Sequence, residues 1–249
     1  MPRRLRFVVA YDGRPYSGWQ SQAGRNTVQD FLEKAFASVC QAQVRVHGAG
    51  RTDAGVHALA QSAHADVPEP TLKSEQWSAA LNAALPPTIR VLRCLFVSPE
   101  FHARFSAKGK LYRYRICNAR FLPPLELGRA WHVPAPLDRE LMRPEAELFV
   151  GTHDFGGFAA NRGHVVAKSV RTIDAVKFRS RGELIELEFA GDGFLYKMVR
   201  LMAGALVRCG REASAAGEIE ERLLHPGRFI PKARVVAPAE GLYLVRVRY

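Results

Sequence analysis

The sequence predicts an α+β protein made of two mixed sheet-and-helix halves of split-βαβ type. Three observations carry that expectation. Across roughly the first hundred residues, segments of period-2 and period-3.6 apolar spacing follow one another as strand, helix, strand, strand, helix, strand. The remainder repeats a mixed strand-and-helix pattern, with no internal repeat strong enough to prove duplication. The 249 residues, 47% of them hydrophobic, suffice for two domains with sizeable cores. The expected division is residues 1–104, carrying a glycine-rich loop, and residues 105–249.

Each element has its own signal. In residues 5–11, Leu5, Phe7, Val9 and Tyr11 alternate as in a half-buried strand, and Asp12-Gly13-Arg14-Pro15 reads as a turn. A helix begins near Asn26 or Thr27, with Val28, Phe31, Leu32, Ala35, Phe36 and Val39 on one face and Asn26 with Gln29 at capping-box spacing. Residues 44–47 form a short strand and residues 59–67 another, on either side of the glycine-rich loop. Ser74 opens a second helix with Trp77, Ala80, Leu81, Ala84 and Leu85 on one face, and Pro86-Pro87 stops it. Residues 89–96 are a strand and residues 98–106 a connector.

The second half begins with a long strand, residues 108–118, placing Lys110, Tyr112, Tyr114 and Ile116 on one face and Leu111, Arg113, Arg115 and Cys117 on the other. Residues 121–136 are Pro-rich and read as a long loop. A helix covers residues 138–150, ended by Gly151, or starts with Pro144 in its first turn. Residues 171–179 and 183–190 pair as a hairpin across Ser180-Arg181-Gly182. Residues 194–207 form an amphipathic helix, residues 219–224 a short one, and residues 242–249 a closing strand.

Composition narrows the function. Thirty-six Lys and Arg against 24 Asp and Glu give a net charge of +12. A surplus of that size suits a polyanionic partner, nucleic acid foremost, because neutralising phosphates releases counterions. The four cysteines, Cys40, Cys94, Cys117 and Cys209, lie far apart with no C-x-x-C pair, which fits a reducing compartment better than a zinc site or a disulfide framework. The basic N-terminus lacks the apolar stretch of a secretory signal, and no apolar run approaches a membrane span. A cytoplasmic protein with no membrane partner is expected.

The sharpest local feature is Gly48-Ala49-Gly50-Arg51-Thr52-Asp53-Ala54-Gly55-Val56-His57. Its glycines permit positive φ angles and close approach of the backbone to another molecule. It lacks the Gly-Lys-Ser/Thr of a phosphate-binding P-loop and the spacing of a dinucleotide fingerprint. Taken alone, an Asp in a glycine-rich loop fits an Asx turn or helix cap, here paired with Arg51, better than it fits a catalytic carboxylate. His57, His64 and His102 match no metal-ligand spacing, and no metal is expected. Residue types alone leave three functions open: a carboxylate enzyme acting on RNA, a non-catalytic RNA-binding protein, and a metal-dependent nuclease. Arg104, Lys108, Lys110, Arg113 and Arg115 form a basic, Tyr-bearing stretch suited to phosphate contact.

The string Gly-Arg-Thr-Asp-Ala-Gly-Val-His resembles the signature of the TruA family, tRNA pseudouridine synthase I. The resemblance runs through nearly the whole chain. It continues in Tyr11-Asp12-Gly13, Gly18-Trp19-Gln20, Thr27-Val28-Gln29, Asn82-Ala83 with Leu85-Pro86, and Phe101-His102-Ala103-Arg104-Phe105-Ser106-Ala107. Tyr112-Arg113-Tyr114, Met198-Val199-Arg200 and Pro238-Ala239-Glu240-Gly241-Leu242-Tyr243-Leu244 follow in order. No one tripeptide is specific, but the ordered series is.

The resemblance implies two halves meeting at a central basic cleft, and Asp53 as the catalytic residue. It implies that Tyr112 stacks on the target base, that Arg51 takes part in base flipping, and that Arg200 pairs with the catalytic carboxylate. It further implies action on uridines 38, 39 and 40 of the tRNA anticodon stem-loop by a homodimer with tRNA lying across both subunits. Forming pseudouridine breaks the N1–C1′ bond, turns the base and joins C5 to C1′. That redox-neutral isomerisation calls for no cofactor. It needs a carboxylate, as nucleophile or as base at the ribose, and a base outside its stack.

Overall fold

The computed structural model describes residues 2–68, 72–160, 168–227 and 235–249. The chain forms two compact units, Met1–Lys108 with Tyr243–Tyr249, and Gly109–Leu242. In the first, strand β1 (Arg3–Tyr11) lies antiparallel between β3 (His57–Val67) and β4 (Ile89–Phe96). The other edge of β3 is shared. Its end pairs antiparallel with β2 (Val46–Gly48), and its start pairs parallel with β10 (Leu242–Arg248) through Tyr243 and His57. The closing strand thus returns to the first unit. Period-2 alternation tells which side chains are buried, but it carries no information about which strand is the neighbour.

Helices α1 (Val28–Cys40) and α2 (Ser74–Ala84) bury their apolar stripes on one face of this sheet. Leu5, Phe7 and Val9 are buried there, opposite Ala63 and Ala65, whose small side chains leave room for Phe36 to pack on Phe7 at 5.3 Å. Trp77 closes the layer against Phe36 at 5.9 Å. The capping box is one residue later than expected, with Thr27 as N-cap and Asp30 as its partner. Gln29, expected in that role, is buried and bonds elsewhere.

The opposite face is polar. Arg4 pairs with Asp66 at 2.7 Å, and Arg6 lies across from His64. Residues 98–106, expected as a mere connector, cover this face: Arg4 donates to the Phe101 carbonyl at 2.8 Å, and the Ala103 amide donates to His64 Nδ1 at 3.1 Å. The burial of His64 follows.

The second unit is an antiparallel sheet in the order β5 (Gly109–Cys117), β9 (Leu184–Gly191), β8 (Val170–Arg181), β7 (Gly151–Asp154), with β6 (Trp131–His132) parallel to β5. Strands β6 and β7 are too short for an alternation signal. The β8–β9 turn is Gly182-Glu183, between paired Arg181 and Leu184, with Gly182 at φ +57° as a two-residue hairpin requires. Helix α3 (Arg139–Glu147) is capped by Asp138, which accepts from the Glu140 and Leu141 amides at 3.0 and 3.2 Å. Pro144 therefore lies inside the helix and does not begin it. It is tolerated where Glu140, whose carbonyl Pro144 cannot bond, is exposed to water.

Helix α4 (Met198–Arg211) starts four residues after the expected Phe194, because Lys197 takes a left-handed conformation, φ 58°. It is buried on nearly all sides and packs on α3 and β5, whereas α5 (Glu218–Leu224) packs on β7. Gly204 of α4 lies against the Val235 backbone, so closely that a Cβ there would overlap its carbonyl. A backbone obstacle yields less readily than a side-chain end. Gly204→Ala should therefore destabilise the protein by about 1–3 kcal/mol despite its higher helix propensity. Urea unfolding checks this, and an equal or raised midpoint would contradict the close approach.

Candidate active site

The loop between β2 and β3 carries Arg51 and Asp53, and its shape is set by the segment that follows β1. Gly48 admits the Trp19 ring, which a Cβ would meet at 2.5 Å. The Ala49 amide donates to Ser62 O at 2.8 Å, and the fully buried Gln61 donates from Nε2 to Gly50 O at 2.8 Å. Thr52 is buried, with its Oγ1 2.8 Å from the Tyr11 hydroxyl and its carbonyl accepting from the Trp19 amide at 3.0 Å. Gly18, at φ +92°, passes directly beneath, where a Cβ would lie 2.6 Å from Thr52 O.

Beyond Thr52 the loop closes in a tight turn, Val56 N donating to Asp53 O at 3.1 Å, with Gly55 at φ +78°. His57 is anchored by Gly13, whose amide donates to His57 Nδ1 at 3.1 Å, and by Tyr243, stacked on the ring at 4.6 Å. Asp12, beside it, is held below the usual carboxylate range chiefly by its bonds from Arg14.

With Thr52 pinned inward, its neighbours turn outward. Arg51 is exposed and Asp53 half-buried. Arg51 Nε donates to Gln20 Oε1 at 3.2 Å, Gln20 donates to Gln29 Oε1 at 2.7 Å, and Gln29 donates to Val46 O at 3.2 Å. A chain of amides thus ties the arginine to α1 and to the root of the loop. Tyr11, Gly18, Trp19, Gln20 and Gln29 hold this geometry. The alternation that includes Tyr11 and the cap spacing that includes Gln29 report local structure, and nothing in a linear pattern shows that these residues fold onto residues 48–56.

Two further candidates lie in the second unit. Tyr112, on β5, is 7% exposed and meets Phe194 edge-on at 4.9 Å. Arg200 stands in the first turn of α4 and is only partly buried among buried neighbours. Its Nε donates to Ala237 O at 2.7 Å, and its carbonyl accepts from the Ala237 amide at 3.1 Å. Arg200 also lies close enough to Tyr114 to oppose the upward push that burial gives that hydroxyl. The basic stretch divides. Arg113 is bonded to Glu188 at 2.8 Å and Arg115 to Glu126 at 3.0 Å, while Arg104 and Lys108 are exposed. Carboxylates from strand β9 and from the turn at Glu126, invisible in the local pattern, compensate the first two.

His57 and His64 each accept a backbone N–H at Nδ1, and His102 accepts two. Among the described residues no group of three His, Cys, Asp or Glu side chains is placed to hold a metal ion. Among them too, no helix is long and apolar enough to cross a membrane. What the loop presents is one carboxylate and one guanidinium on a fixed backbone, suited to charge-based chemistry on a group brought to it.

A family model described as tRNA pseudouridine synthase matches residues 7–106 and 146–249. A tRNA pseudouridine synthase A of Akkermansia muciniphila is 47% identical over 252 residues, covering 99% of this chain and 95% of that one. Proteins of the same name from Bacillus licheniformis and Acetivibrio thermocellus are 41% and 42% identical, covering 99% of this chain in both cases and 99% and 100% of theirs. The chain belongs to the tRNA pseudouridine synthase family.

Proposed function

We propose that this chain isomerises uridine to pseudouridine at positions 38, 39 and 40 of the tRNA anticodon stem-loop, with Asp53 as the catalytic carboxylate. The observation that carries the assignment is the pinned Gly-Arg-Thr-Asp loop, in which a buried Thr52 turns Arg51 and Asp53 outward. Held in place, Asp53 loses little entropy when a ribose is brought against it.

The roles follow from the chemistry. The target uridine leaves its stack, and Arg51 guides or replaces it. Tyr112 receives the uracil face. Arg200 serves as the ionic partner of the Asp53 carboxylate. Asp53 acts at the ribose as the N1–C1′ bond breaks. The uracil turns within the site, C5 bonds to C1′, the C5 proton departs and N1 acquires one, so the product has the mass of the substrate. No metal or redox cofactor enters these steps. The protein works in the cytoplasm as a homodimer, with tRNA lying across both subunits. A net charge of +12 suits so large a polyanion.

Tritium release from tRNA labelled at uridine C5 tests the assignment. Purified protein should release tritium without added metal or nucleotide. Asp53→Asn should lower turnover by about 10³-fold or more, equivalent to about 4 kcal/mol of activation free energy, while tRNA binding persists. Undiminished release by that variant would remove Asp53 from the mechanism. Gly18→Ala probes the loop support. The left-handed backbone there costs an alanine about 1–2 kcal/mol, and the displaced Thr52 should lower turnover per folded molecule by about 10²-fold. A loss of activity no larger than the loss of folded protein would show that Gly18 serves stability alone.

A further inference from the structure

On the polar face of the first unit, the motif Phe101–Ala107 ends in a column of rings. Phe105 is 77% exposed, yet its ring lies on His102 at 4.3 Å and 29°. His102 meets His64 edge-on at 4.7 Å, and His47 stacks on His64 at 5.0 Å. The turn beneath is fixed independently of Phe105. Tyr249 donates its hydroxyl to Ala103 O at 2.7 Å, and Ser106 N donates to His102 O at 2.9 Å. His102 Nδ1 accepts from the amides of Arg104 and Phe105 at 3.1 and 3.3 Å, so the backbone that carries Phe105 also orients the ring beneath it.

This arrangement has the attributes of a binding surface rather than of a core. Burial lowers His102 and brings His64 to about 4, so these two rings are neutral near pH 7. A cation flanks the outermost ring, the Arg104 guanidinium at 5.7 Å from its centre, and both Arg104 and Lys108 of the same segment are exposed. An open aromatic face beside uncovered cations matches an unpaired nucleotide, whose base is a π-surface and whose phosphates are anionic. A preordered turn lowers the entropy lost on binding.

We propose that the open face of Phe105 stacks an unpaired base of the RNA substrate outside the Asp53 loop, with Arg104 and Lys108 meeting the adjoining phosphates. The proposal rests on tRNA being the substrate. It is tested with the full chain and unmodified tRNA, by measuring equilibrium binding, tritium-release kinetics, thermal midpoint and sedimentation for Phe105→Leu and Phe105→Trp. Phe105→Leu should weaken tRNA binding by about 10- to 100-fold, the loss of one base–aromatic stack, with little change in turnover at saturation and an unchanged midpoint. Phe105→Trp should restore binding. Unchanged tRNA affinity in Phe105→Leu overturns the proposal, as does an altered sedimentation coefficient showing that Phe105 joins copies of the chain. If the wild-type protein bound tRNA in a Phe105-dependent way but released no tritium, the catalytic assignment would fail and the stacking surface would stand.

Discussion

Thr52 is the residue on which the geometry of the loop turns. A surface loop ordinarily leaves its backbone to water and its side chains free to move. Here the central side chain points inward, its hydroxyl against Tyr11 and its carbonyl on the Trp19 amide. Each such bond contributes only about 1 kcal/mol net, but breaking one inside the protein leaves a buried polar group unsatisfied at a cost of about 1–3 kcal/mol. The loop is held less by the strength of the bonds than by the penalty for leaving them. Side chains on either side of an inward residue are turned toward solvent, which is how Arg51 and Asp53 come to be presented together.

That constraint accounts for the glycines around it. Trp19 can donate to Thr52 only if the chain at Gly18 passes within a Cβ radius of the Thr52 carbonyl, and the φ of +92° there excludes other residues at little cost. Gly48 yields its space to the Trp19 ring. The amide chain from Gln29 through Gln20 extends the support to the Arg51 side chain. Segments near residues 11, 20, 29 and 52 thus form one piece of structure, although no two of them adjoin in sequence.

Legibility followed the range of the interactions. The alternation of Leu5, Phe7, Val9 and Tyr11 reports a local geometry and matches their burial, and Ile89–Phe96 has the expected bounds. The apolar spacing runs on through Phe194 and hides the start of α4, which one left-handed residue, Lys197, sets at Met198. The pairing of the closing strand and the cover that residues 98–106 lay over His64 depend on partners far away in sequence. At the site, the Gly-Arg-Thr-Asp string was visible at once as unusual. Its chemistry came from resemblance, and its supports acquired a physical meaning only when Thr52 was seen to be buried.

Charge shows the same separation between pattern and fold. The stretch from Arg104 to Arg115 reads as one basic run, yet β9 sets Glu186 and Glu188 opposite its second half. Arg113 and Arg115 stiffen the sheet of the second unit, and a compensated guanidinium attracts a distant phosphate weakly. Arg104 and Lys108, outside that sheet, keep their charge toward solvent. An excess of +12 therefore overstates the field of some regions and understates that of others. The cations best placed to attract a phosphate on this segment are those that the strand register does not set against a carboxylate, and one of them, Arg104, lies beside the exposed ring of Phe105.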